Sequence, residues 1–114
     1  MPHVAILVAN YNYGNYIEET IASVHKAQEM AAQLCEQVNI CMLVGDDKST
    51  DNSLEAIGNA KKRYQNSNFQ VKVFAFSENR KPNAVITDLV HNIPDNCTHT
   101  VILDADDRLK ETAI

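Results

Sequence analysis

Four short apolar runs, each leading into a polar cluster, constrain this chain more than any other feature. They are "HVAILVA" (3–9), "NICMLVG" (39–45), "FQVKVFAF" (69–76) and "THTVILD" (98–104). The first two are too short for a packed helix and suit strands buried on both faces. The third alternates, as a strand does, and the fourth ends on carboxylates. Such strands need something apolar on each face of the sheet.

The segments between them supply it. From about Tyr16 to Gln37, apolar residues recur at helical spacing: Ile17, Ile21, Val24, Ala27, Met30 and Ala31. Asn15 is the expected N-cap, with Glu18 three residues on as in a capping box. A second helix is expected over Ser53–Tyr64, with Leu54, Ile57 and Ala60 facing inward. Its last turn holds Lys61, Lys62 and Arg63, the charges a helix C-terminus prefers. Residues 83–92, carrying Ala84, Val85, Leu89 and Val90, give a weaker third helix. The order β-α-β-α-β-α-β predicts an α/β, Rossmann-like fold, a largely parallel sheet with helices on both faces. With 114 residues, the chain fits a single domain, 1–114, with one core.

Charge and cysteine usage narrow the partners. A net charge of −5 argues against a general nucleic-acid binder, which needs a basic face. Cys35, Cys41 and Cys97 are an odd number without short spacings, so neither a disulfide framework nor a metal knuckle is expected. Reduced, buried thiols and the lack of a basic leader before the first apolar run predict a cytoplasmic chain. His3, His25, His91 and His99 show no ligand spacing and are expected at the surface or the core edge.

In sheets of this type, ligands bind beyond the C-terminal ends of the strands. The polar clusters after strands one, two and four fall there, scattered in sequence but free to converge in space. After strand one comes "NYNYGN": Gly14 supports a turn, Tyr16 staples the helix start, and Tyr11 can pack against a base. After strand two comes "DDKSTDNS". Ser49 to Ser53 read as turn and cap residues. The doubled carboxylate of Asp46 and Asp47 exceeds what a cap needs and points to hydrogen bonds with a nucleobase or a ribose. After strand four, Asp104, Asp106 and Asp107 crowd into four residues. If the chain is still extended there, Asp104 and Asp106 point the same way and reach one ion. Hard carboxylate oxygens select Mg²⁺ or Mn²⁺, ions that commonly arrive with a diphosphate. In "SENRKP" after strand three, Arg80 and Lys81 read as a solvated loop.

Read in order, "VAILVANYNYGNYIEETIASV", "MLVGDDKSTDNS", "FSENR" and "VILDADD" resemble the start of family-2 glycosyltransferases, which have the GT-A fold. The resemblance covers nearly the whole chain. It implies an inverting transferase acting on a nucleoside-diphosphate sugar, with uridine diphosphate sugars favoured and the acceptor unspecified. It implies that Ala9 to Tyr11 border the base and that Asp46 and Asp47 contact the nucleoside, Asp47 at the base. It also implies that Asp104 and Asp106 form the D-x-D motif, which holds the ribose and a Mn²⁺ or Mg²⁺ ion, with Asp107 assisting. That cation and its diphosphate would account for the crowded carboxylates.

This chain departs from the family pattern at several points. Lys48 stands where the family commonly has glycine, so a different turn is expected there. After "ENR" the family often continues Gly-x-x-x-Ala-Arg-Asn, whereas this chain reads "KPNAVITD", which removes the contacts of that Arg-Asn pair. The family's acceptor pocket and catalytic carboxylate lie in a further half, so residues 1–114 correspond to its nucleotide-binding part, and no catalytic base is identified among them. On that reading the chain alone is inactive in transfer. The sheet edge at strand four would be open and prone to self-association, and any membrane association would come from other regions. Two other functions compete. A noncatalytic nucleotide-binding or interaction domain needs only the binding groups. A receiver-type signalling domain needs an acidic pair after strand one and a fifth strand followed by lysine, and neither is visible.

Overall fold

The computed structural model describes residues 3–34 and 38–105. Its elements are β1 (His3–Asn10), α1 (Ile17–Gln33), β2 (Asn39–Asp46), α2 (Ser53–Tyr64), β3 (Phe69–Ala75), α3 (Lys81–Val90) and β4 (His99–Ile102). All pairings are parallel and the strand order is β3-β2-β1-β4. This is the expected α/β, Rossmann-like alternation with a parallel sheet.

Alternate residues of each strand feed two cores, as the strand period requires. Ile6 and Val8 of β1, Ile40, Met42 and Val44 of β2, and Phe69 and Val71 of β3 pack in one cluster with Ile17, Ile21 and Val24 of α1 and Ile57 of α2. Ala5 and Leu7 of β1 and Leu43 of β2 face the other way, onto Val85 and Leu89 of α3. Helices therefore cover both faces. The α3 layer is thinner, so on that side Gln70 and Lys72 of β3 stay exposed.

Several local expectations shift. The N-cap of α1 is Tyr16, and neither Asn15 nor Glu18 forms a capping box there. The Tyr13 carbonyl instead accepts the N–H groups of Tyr16 and Ile17, both at 2.9 Å. α1 ends at Gln33 with Leu34 as its C-cap, short of the expected Gln37, and Cys35 lies outside the described residues. In α2, Leu54 points outward and is 46 % exposed, while Ser53, Ala56, Ile57 and Ala60 are buried. The smaller side chains bring α2 close to its neighbours, and the leucine is left over. α3 begins two residues before the expected 83, and Val90 at its end is exposed.

β4 is shorter than expected and all four of its residues are exposed. It forms one edge of the sheet, and Val101 and Ile102 are 38 % and 63 % exposed. The edge at strand four is open among the described residues, and it carries exposed apolar side chains. Among the described residues no helix is long and apolar enough to cross a membrane.

Gly45 sets how closely α3 approaches the sheet. A Cβ built on it would stand 2.5 Å from Val85 Cγ1 and 3.1 Å from the Phe76 ring. Val85 is fully buried and β-branched, so it has little freedom to yield. Gly45→Ala is expected to cost about 1–3 kcal/mol through overpacking. Gly58 sits inside α2 with nothing within 4 Å of its added Cβ. Gly58→Ala is expected to gain roughly 0.5–1 kcal/mol from helix propensity. Urea unfolding of the two variants should give shifts of opposite sign.

Candidate functional site

The ends of β1 and β2 stand side by side, with Asn10 paired to Asp46 in the ladder. Asn10 Nδ2 donates to Asp46 Oδ1 at 2.9 Å, and the Ser49 hydroxyl donates to the same oxygen at 2.6 Å. Ser49 N–H donates to Asp46 Oδ2 at 3.1 Å. Asp46 is 1 % exposed and Asn10 is fully buried. A carboxylate buried this deeply must have its lone pairs filled, and these donors fill them. The Asn10 Oδ1 atom is buried without a partner among the described residues.

A second layer of bonds joins the loops above. Asn12 Oδ1 accepts the Thr50 N–H at 2.8 Å and the Asp51 N–H at 3.3 Å, while Asn12 N–H donates to the Ser49 hydroxyl at 3.0 Å. Asp51 Oδ2 accepts the Gly14 N–H at 3.0 Å, and its Oδ1 accepts from the backbone and hydroxyl of Ser53. A side chain at Gly14 would meet the ends of the Asn52 and Asp51 side chains, so they would have to shift from this approach. Desolvation pushes the Asp51 carboxyl up, but the Ser53 and Gly14 donors outweigh it and hold the pKa below its ordinary 3.8. A lowered folded pKa means that this part of the stability is present above 3.8 and is lost as pH falls through the lower folded value. The turn and cap reading of Ser49 to Ser53 thus extends across two loops.

Asp47 has a different task. Its Oδ1 accepts the Arg80 N–H at 2.6 Å and its Oδ2 the Lys81 N–H at 2.8 Å. These groups open α3, whose own N-cap residue, Arg80, makes no side-chain cap. Pro82 follows and has no N–H to satisfy. A carboxylate at a helix N-terminus is favoured by the helix dipole as well as by the bonds. The α3 N-terminus is therefore already engaged by the chain's own anion. Arg80 is tethered too: its guanidinium pairs with Asp88 and lies 5.5 Å from the Phe76 ring centroid. Arg80 and Lys81 are both exposed, as expected, although Lys81 already opens α3 and Arg80 is held in a surface pair.

Asn12, Lys48 and Lys81 have φ of 57°, 58° and 70°. One follows each of the first three strands. Lys48 thus takes the left-handed conformation that suits glycine, and the lysine bears its strain.

A cavity of about 420 Å³ opens between the ends of β1 and β4 and the first turns of α3. It is bounded by Ala9, Tyr13, Pro82, Asn83, Ile86, Ile102, Leu103, Asp104 and Ala105. The sheet order reverses between β1 and β4, because the chain passes from β1 outward to β3 and returns to the other side for β4. Ligands of open α/β sheets bind at such switch points. Of the anticipated residues, Ala9 and Asp104 border this cavity. Tyr11, 44 % exposed, does not, whereas Tyr13 does, and Tyr13 stacks edge-on with Tyr16 at 6.2 Å. Asp46 and Asp47 lie inward with their carboxylates engaged and do not line it. Asp106 and Asp107 lie outside the described residues. The strand ends at Ile102 and Ala105 lies in a turn, so the extended geometry considered for Asp104 and Asp106 does not continue through Ala105.

Asp104 is exposed, and no hydrogen bond or ion pair holds its carboxylate among the described residues. A free hard-oxygen donor on a polar cavity fits a divalent cation. The described residues alone contain no group of three ligands for a metal. A second cavity of about 310 Å³ lies at the opposite, N-terminal ends of the strands, with His3, Cys41, Lys72 and Cys97 among its walls. Burial pushes both thiols up, so neither is an activated nucleophile.

Because Asp47 holds two backbone donors at 3 % exposure, its loss should unfold rather than merely disarm the chain. Asp47→Ala is expected to lower stability by about 2–4 kcal/mol, and Asp47→Asn by roughly half as much, in chemical denaturation. Wild-type stability in the alanine variant would show that the α3 contact carries no energy.

A comparison with curated proteins finds no match. Among solved structures, the chain is similar to the mannosyltransferase PcManGT from Pyrobaculum calidifontis, solved in complex with GDP-Man and Mn²⁺. The TM-score is 0.72 at 19 % identity, over 93 % of this chain and 28 % of that one. At that identity the likeness establishes the fold, and this chain spans under a third of that protein's length. The family model for glycosyl transferase family 2 matches residues 5–114, nearly the entire sequence, and the chain therefore belongs to glycosyl transferase family 2.

Proposed function

We propose that this chain holds the nucleoside-diphosphate part of a sugar donor in the cavity between Ala9, Tyr13, Asn83 and Asp104, in the service of glycosyl transfer. The observation that carries the reading is the Asp104 carboxylate: it borders a cavity at the sheet's switch point, and no described group neutralises it. Family membership supports the reaction class. The related fold crystallised with GDP-Man and Mn²⁺ supports a nucleotide sugar and a divalent cation as its ligands.

In this reading Asp104 supplies a ligand to Mn²⁺ or Mg²⁺, with Asp106 and Asp107 as further donors. The cation, when bound, acts as a Lewis acid toward the departing diphosphate. The Tyr13 ring offers an apolar wall, and Ala9, with no bulk of its own, keeps the floor open. Asp47 has about four lone-pair sites and gives two to α3, which leaves acceptor capacity for a base N–H as a subsidiary contact. Transfer with inversion requires a general base at the acceptor hydroxyl. Asp104 is the one carboxylate among the described residues bordering the cavity, and it is committed to the cation. Residues 1–114 by themselves are therefore expected to bind donor without transferring sugar.

Titration calorimetry with GDP and with UDP, each with Mn²⁺ and with EDTA, tests this. Binding should be stronger with Mn²⁺ for at least one nucleotide. Asp104→Ala should weaken the metal-dependent binding about 10- to 100-fold, the size of a lost charged contact. Equal affinities with Mn²⁺ and EDTA, or an unaffected Asp104→Ala variant, would overturn the assignment.

A further inference from the structure

We infer that Thr20, on the first turn of α1, is a positioning residue for the turn that presents Asp104. This rests on the donor-site reading above. The turn needs an anchor, because β4 gives it little: the strand has four residues, all exposed, at the sheet edge. Beyond it, Leu103 N–H donates to the Leu7 carbonyl at 3.0 Å. The next hold is a side chain from across the molecule. Thr20 Oγ1 donates to the Ala105 carbonyl at 2.7 Å, over a separation of 85 residues. Both partners are out of water, Thr20 at 1 % and Ala105 at 2 % exposure.

The hydroxyl has a single proton. It also lies 3.1 Å from the Tyr16 carbonyl, the usual back-bond of a helical threonine. The Ala105 oxygen is the closer of these two acceptors, so the long-range bond is the stronger of the pair. If it is removed, the Ala105 carbonyl stays buried without that donor, which favours movement of the turn toward water. Asp104 is the residue immediately before Ala105 and would move with it. The same end of α1 is pinned through the Tyr13 carbonyl, and Tyr13 borders the same cavity as Asp104. One helix terminus therefore fixes two walls of the site.

The test uses Thr20→Val, which keeps the shape and removes the hydroxyl, and Thr20→Ser, which keeps the hydroxyl. In the ligand-free chain, amide hydrogen exchange should quicken about five- to tenfold at Leu103, Asp104 and Ala105 in the valine variant, with β1 and β2 amides unchanged. GDP or UDP affinity should fall by a similar factor with Mn²⁺ present and stay unchanged in EDTA. Serine should restore both readouts. If valine does not fit, Thr20→Ala carries the same comparison. Parental exchange at the turn, or equal exchange changes throughout the sheet, would overturn the inference. So would unchanged Mn²⁺-dependent affinity in a variant whose turn has loosened. If the parent shows no Mn²⁺-dependent binding while the variant loosens the turn selectively, the donor reading fails and the Thr20 hold on the turn stands.

Discussion

The pairing of Asn10 with Asp46 at the adjoining ends of β1 and β2 is the interaction on which the rest of this structure depends. Parallel strands end with polar groups that the sheet no longer satisfies, and here they end inside the protein. Asn10 and Ser49 close around the Asp46 carboxylate, and the Asp47 N–H donates to the Asn10 carbonyl at 2.8 Å. Phe76 N–H then reaches the Asp46 carbonyl at 2.9 Å, which ties in the end of β3. Three loops are thus registered against one another by side-chain bonds to one buried carboxylate and by the backbone bonds beside it. Removing that charge's donors would leave it both desolvated and unpaired, the costly case.

This organisation divides the acidic residues by task. Asp46, Asp47 and Asp51 each accept hydrogen bonds from several donors within the chain and build the rim. Asp104 is without such donors among the described residues and faces the cavity. The division follows from position: Asp46 ends β2 and Asp47 and Asp51 follow it, beyond a strand paired on both sides, whereas Asp104 follows a short edge strand. Carboxylates that hold loops are neutralised by backbone N–H groups. Of the described carboxylates without such donors, Asp104 is the one that borders the cavity at the switch point, where ligands of such sheets bind.

Much of this was legible in the sequence, and the limits have physical causes. The strands and helices could be read because their periods of two and 3.6 repeat over enough residues to stand out. The convergence of the strand-end loops followed from the parallel alternation alone. The role of Asp47 could not be read, because its partners lie 33 and 34 residues away at the start of α3. A cap supplied by a distant strand leaves no local spacing. Leu54 was misplaced because hydropathy ranks leucine above serine and alanine, whereas the close packing of α2 selects the small residues Ser53, Ala56 and Ala60. Tyr11 was singled out in the sequence by its place just after the strand, whereas Tyr13, beyond the left-handed Asn12, is the tyrosine that borders the cavity. Thr20 carried no signal beyond that of a polar residue on an apolar helix face.

The central claim is that the free carboxylate end of β4, and not the buried pair beyond β2 or the cavity at the opposite end of the sheet, receives the metal and its diphosphate. Paramagnetic broadening of backbone amide signals by Mn²⁺, titrated in the presence of a nucleoside diphosphate, reads this directly. The account predicts that broadening is strongest at Asp104 and Ala105, with Asn83 and Ala9 next, and that it disappears with EDTA. Broadening centred instead on Cys41 and Cys97, or no nucleotide-dependent broadening at all, would contradict it.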